Sequence, residues 1–213
     1  MNEVTDCVIP DGEERRLPEF NAMQKVKRRF FAMRNGDLAQ QMKERGADYR
    51  INFGLNLPQV SEIAWDFLPG GVEAQGFEQG FDMAGFARRL RDNVSTRESM
   101  LIAPMLFPLN ELTMEEAVEW SRNVATAEVA DVLCLKLLRN WPGAVELART
   151  LLSDDTPLAR YSGLRLVLNL LQAGKMSSSV ALGLTESAKL SESPLTATLS
   201  RQLRDEIEFL SEE

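Results

Sequence analysis

The sequence predicts an all-α fold, an α-solenoid of stacked antiparallel helix pairs with about eleven helices in a single domain over residues 17–213, behind a tail at 1–16. Three observations predict it. From Phe20 onward apolar residues recur at helical spacing, as in Met23, Val26, Phe30 and Met33, and no alternating strand-like run occurs. Helix-start signals recur along the chain. Helices expected to begin near 96, 127 and 157 each precede a second helix, a repeat of about 31 to 32 residues whose apolar faces are buried only by stacking on their neighbours.

In chain order the periodicity places helices at 20–34, 37–45, 58–68 and 79–92. The next, at 96–106, follows Ser95, whose spacing to Glu98 is that of a capping box; Pro104 should kink or stop it near Ala103. Thr113 and Glu116 repeat the capping-box spacing before a helix at 114–122. Helices at 127–139 and 142–152 follow. Thr156 before Pro157 and Ser193 before Pro194 each set an N-cap hydroxyl ahead of a proline at the first helical position, opening helices at 157–172 and 194–211 around one at 177–190.

Composition narrows the function classes. Of 213 residues, 44% are hydrophobic and 26% charged, enough for a continuous core, and no Gly/Ser/Pro-rich linker divides them. Histidine is absent, which removes His-based triads, His metal ligands and the usual general base near neutral pH. Neither a cofactor nor a metal is expected. Two cysteines, Cys7 and Cys134, are too few for a disulfide framework and read as free thiols in a reducing cytoplasm. The start MNEVTDCVIPDGEERR has acids where a secretory signal has a basic start and an apolar run. Met100 to Leu109, the longest apolar stretch, is about half the ~20 residues of a bilayer span and is broken by Pro104 and Pro108. No membrane association is expected.

Net charge is −8, unevenly spread. Residues 14–50 carry 10 Lys/Arg against 5 Asp/Glu, and residues 51–213 carry 14 against 23. The acidic body argues against strong duplex binding, which rests on phosphate neutralisation, while the basic first segment leaves room for a local basic groove.

Three stretches together resemble the DNA alkylation repair family, the AlkD-like alkylpurine DNA glycosylases built from HEAT-like repeats. They are Phe30 to Phe67, which contains RINFGLNLPQVSEIAWDF with Gly54 and Pro58 ahead of a helix; Thr96 to Leu138, which contains TMEEAVEWSRNVATAEVADVLCLKLL; and Ser153 to Leu171, SDDTPLARYSGLRLVLNLL. The resemblance implies a concave surface that grips the DNA backbone and an aspartate in a central helix that stabilises positive charge on the sugar as an alkylated base departs. Asp131, in AEVADVLC, falls at that aspartate's place, and Arg160, in PLARYSGL, at that of a backbone-contacting arginine. Two departures matter. Thr126, Ala127 and Glu128 stand where the family's active enzymes carry tryptophan, and none follows Trp141. Base–aromatic stacking is worth about 1–3 kcal/mol per base, so excision is expected to be weak or absent.

Each candidate residue carries more than one reading. Asp131, between Val129, Ala130, Val132, Leu133, Cys134 and Leu135, is a structural acid that caps a neighbouring helix or pairs with an arginine such as Arg160, a charge-stabilising group in a cleft, or an exposed surface acid. Arg160 is a salt-bridge partner or a phosphate contact. Lys25, Lys27, Arg28 and Arg29, with Arg34, are the wet face of an amphipathic helix or an anion-binding surface for nucleic acid or an acidic partner. Trp65, Trp120 and Trp141 are expected to pack in the core or between helices. Two functions follow: a diverged family member that binds duplex DNA weakly, or a non-catalytic scaffold that binds a protein partner on its concave face.

Overall fold

A computed structural model describes residues 18–77, 80–187 and 194–211. Among them are eleven α-helices: α1 (Pro18–Ala32), α2 (Gly36–Glu44), α3 (Leu57–Phe67), α4 (Met83–Asp92), α5 (Arg97–Leu106), α6 (Met114–Arg122), α7 (Ala127–Lys136), α8 (Ala144–Leu152), α9 (Pro157–Gln172), α10 (Ser178–Ser187) and α11 (Pro194–Ser211). The only β pairing among the described residues is the isolated bridge between Ile51 and Thr96. No helix among them is long and apolar enough to cross a membrane. The tail at 1–16 and the Ser193 cap lie outside the described residues.

Several helix boundaries differ from expectation for local reasons. α4 starts at Met83 rather than near 79, because the Asp82 carboxylate accepts from the Gly85 N–H at 2.7 Å and caps the helix there. The helix expected at 127–139 ends at Lys136 and tightens into a 3₁₀ turn over Leu138–Asn140. Pro104 neither stops nor shortens α5 at Ala103: the helix runs to Leu106, and the Phe107 N–H still reaches the Ala103 carbonyl at 3.1 Å. Met100, Leu101, Ile102, Ala103 and Leu106 are all buried, and this packing outweighs the interior proline.

The caps also differ. Ser95 and Glu98 form no capping box, since Thr96 is the N-cap residue without a side-chain bond and the Glu98 carboxylate is engaged elsewhere. Thr113 does cap α6, accepting from the Glu116 N–H at 3.2 Å, but the Glu116 carboxylate pairs with Arg88 instead of returning to the cap. Thr156 precedes Pro157 as expected, yet it is the Asp154 carboxylate that accepts from the Thr156 N–H, at 2.8 Å. A capping box missed by sequence opens α3, where Asn56 and Gln59 satisfy each other's backbone N–H groups.

Packing sorts the helices into two rows. α3, α5, α7, α9 and α11 follow one another, each against the next, while α4 packs on α5, α8 on α9 and α10 on α11. α6 packs on α8 and is tied to α4 by Glu116, which holds Arg88 at 2.7 Å and Arg91 at 3.7 Å. One continuous buried cluster runs from Ala22 to Ile207. Between Ala159 and Leu171 of α9 only Arg160 and Arg165 are not buried.

Candidate functional site

The site is built on α7, whose otherwise apolar sequence carries Glu128 and Asp131 one turn apart and therefore on one side of the helix. Thr126 caps α7 by accepting from the Val129 N–H at 3.3 Å. Glu128 reaches back to α5 and Asp131 reaches forward to α9, so a single helix links two cross-helix polar networks.

The first network is buried at its centre, Arg97 and Glu98, and ends on half-exposed Glu128. Arg97 opens α5 at 3% exposure, and its Nε donates to Glu128 at 2.9 Å while a second nitrogen pairs with the other Glu128 oxygen. Its remaining terminal nitrogen donates to the Leu55 carbonyl at 2.8 Å and to Glu98 at 3.1 Å. Glu98, fully buried, accepts from the backbone N–H groups of Phe53 at 3.1 Å and Leu55 at 3.3 Å. The extended segment between α2 and α3 is thereby clamped onto the start of α5. Ile51 completes the clamp, its N–H donating to Ser95 and its carbonyl accepting from Arg97. Gly54 is required in this segment: its φ is +71°, and a Cβ there would meet the Asn35 carbonyl at 2.0 Å. The Tyr49 hydroxyl donates to Glu128 at 2.8 Å and lies 2.8 Å from the Thr126 hydroxyl. Burial, with the Glu128 charge adding to it, pushes the Tyr49 phenol up to about 12.

The second network is half open. One Asp131 oxygen accepts from the Arg165 Nε at 2.6 Å and from the Tyr161 hydroxyl at 2.9 Å, and Arg165 donates to Tyr161 at 3.2 Å. The Asp131 side chain is 40% exposed. Burial opposes the charge on Arg165, but Tyr161 and Asp131 outweigh it and raise the guanidinium above its ordinary value. Tyr161 is likewise raised, first by burial and then by the Asp131 charge. Cys134, one turn beyond, is a buried thiol pushed up by burial and then by Asp131, which leaves it protonated and unreactive.

These positions revise the sequence expectations. The arginine that pairs with Asp131 is Arg165, not Arg160, because Tyr161 and Arg165 stand one turn apart on the side of α9 that meets α7. Arg160 has no side-chain ion pair among the described residues and keeps partial access to solvent. Trp65 is 71% exposed on α3 rather than packed in the core. Trp120 is buried against Phe107, and Trp141 is half-buried with its ring folded over Gly143. The basic patch of α1 divides. Lys25 pairs with Glu73 at 3.5 Å and Arg29 with Asp66, whereas Lys27, Arg28 and Arg34 remain exposed. Arg34 stacks 4.0 Å from the centroid of the Phe31 ring.

Sequence reading missed Tyr49, Arg97, Glu98, Tyr161 and Arg165. The available signal was the Arg97–Glu98 pair leading directly into an apolar run, since adjacent charges that enter a core must find partners. Comparison with known proteins finds no family model, no curated protein and no solved structure that matches this chain.

Proposed function

We propose that this chain is a non-excising binding protein on the HEAT-like solenoid plan, a diverged relative of the DNA alkylation repair family whose α5–α7–α9 face engages a protein partner. The observation that supports this reading most directly is the state of Asp131. Its carboxylate is held by Arg165 and Tyr161, and no tryptophan stands near it on α7 or α9, so a departing cationic base would meet an anion already paired and no stacking wall. Two cations of this face are also neutralised, Arg97 by Glu98 and Glu128 and Arg165 by Asp131, which reduces the free positive charge that phosphate recognition needs. A cytoplasmic setting belongs to the same reading, in keeping with the buried, unbridged Cys134 thiol.

A specific observation keeps weak DNA binding as the second reading. Lys27 and Arg28 on α1 and Arg34 just beyond it remain exposed after Lys25 and Arg29 are neutralised, and Arg160 on α9 has no ion pair among the described residues. Both readings meet in one experiment: release of 3-methyladenine and 7-methylguanine from alkylated duplex. The expected result is no release above a control without protein. Turnover abolished by Asp131→Asn or Arg160→Ala would restore the glycosylase assignment. A duplex complex lost in Lys27→Ala/Arg28→Ala, without turnover, would favour the second reading.

A further inference from the structure

The groove between α9 and α11 is an open cleft of about 490 Å³, next to the Asp131–Arg165 pair but not used by it. Its floor and walls come from two helix faces of matching periodicity. Arg165, Leu168 and Gln172 lie at positions i, i+3 and i+7 of α9, and Gln202, Asp205, Glu206 and Phe209 at i, i+3, i+4 and i+7 of α11. Charge in the cleft is unbalanced. Arg165 is committed to Asp131, and neither Asp205 nor Glu206 has an ion-pair partner among the described residues. Glu206 accepts only the Gln172 amide, at 3.2 Å, and Arg201, one turn before Asp205, forms no pair with it. Phe209 stands 61% exposed at one end, a large apolar surface beside two uncompensated carboxylates.

We propose that this cleft takes an arginine- or lysine-bearing segment of a partner protein. The carboxylates of Asp205 and Glu206 receive the cationic head in charge-assisted hydrogen bonds. Phe209 covers the aliphatic stem and offers a ring to the cation. The exposed amide of Gln202, on the cleft wall, is available to bond the peptide backbone, which a free cation does not require. The same charge excludes phosphate, so the cleft discriminates against nucleic acid. This inference names the partner chemistry for the protein-binding reading and rests on that reading.

A fluorescein-labelled (Arg-Gly)₄ peptide, titrated with the full chain at low salt and read by anisotropy, tests it against a (Glu-Gly)₄ counterpart. The arginine peptide should bind and the glutamate peptide should not. Asp205→Asn/Glu206→Gln should weaken binding about tenfold or more, the scale of losing a charge-assisted contact. Glu115→Gln/Glu119→Gln on α6 makes the same change in net charge and should leave affinity within about twofold. Phe209→Ala should weaken it by less than the double variant. All replaced side chains are exposed or half-exposed, and circular dichroism will report whether each variant is folded. Equal losses in the two double variants would reduce the binding to bulk charge and overturn the cleft. Absence of binding by the wild type would also overturn it, as would displacement by spermidine as effective as by unlabelled peptide. The methylpurine-release assay judges the parent reading separately, since it does not depend on Asp205, Glu206 or Phe209.

Discussion

The two polar networks on α7 start one turn apart and use the same chemistry, an arginine from a neighbouring helix on a carboxylate, yet they do different things. Arg97 and Glu98 work in the interior, where charges withdrawn from water must be matched atom by atom, and Glu128 meets Arg97 from a half-exposed position. Every polar atom of the Arg97 and Glu98 side chains has a partner, and the partners include backbone groups of the segment joining α2 to α3. That network is architecture. Asp131 and Arg165 work at the rim, with water as an alternative partner for both, so their pair can open at modest cost. The difference shows that a carboxylate on a central helix is no evidence of chemistry until its exposure and its partner are known.

The largest expected effect breaks the buried network. Glu98→Ala leaves the Phe53 and Leu55 N–H groups and part of the Arg97 guanidinium buried without an acceptor. The expected destabilisation is about 3–5 kcal/mol, measured by urea unfolding. A loss no larger than that of a surface acid would contradict the assignment of this network as a clamp.

Next comes the open network. Asp131→Ala should cost about 1 kcal/mol, because Arg165 and Tyr161 lose an acceptor but regain water, and it should still exceed the near-zero effect of Glu115→Ala on the surface of α6. Equal melting temperatures for the two variants would make the pair energetically idle.

A third effect, confined to alkaline pH, sharpens the comparison further. Tyr49's folded pKa, about 12, lies above its unfolded value of 10.0, so folding favours the neutral phenol. The resulting stability is complete below pH 10 and is lost as pH rises toward 12. Wild type should therefore lose stability across this alkaline window more steeply than Tyr49→Phe. With only two tyrosines in the chain, absorbance titration will follow Tyr49 and Tyr161 together, and neither should ionise at the ordinary phenol value.

Much of the fold was legible because its signals are local. The apolar spacing of Val26 and Phe30, the Thr113 cap and the proline after Thr156 act within a turn or two of chain, so their physics is written in neighbouring letters. Pro104 shows the limit of local reasoning: its helix-breaking tendency is real, but the surroundings of α5 decided otherwise. The candidate site was legible by residue type and not by pairing. An acid among the apolar residues of α7 called for an arginine, and Arg160 and Arg165 are both on the right helix.

What the sequence by itself determined, then, is the all-α class and the approximate helix boundaries, because backbone hydrogen bonding and apolar periodicity act within a few turns of chain. Only the tertiary structure decided that the cation is Arg165, that Glu98 serves the backbone of Phe53 and Leu55 instead of a helix cap, that Trp65 faces water, and that Asp205 and Glu206 share a cleft without an ion-pair partner among the described residues. Those outcomes depend on how α5, α7, α9 and α11 turn against one another. Packing between helices selects that rotation by total burial, and no single residue or its sequence neighbours encode it.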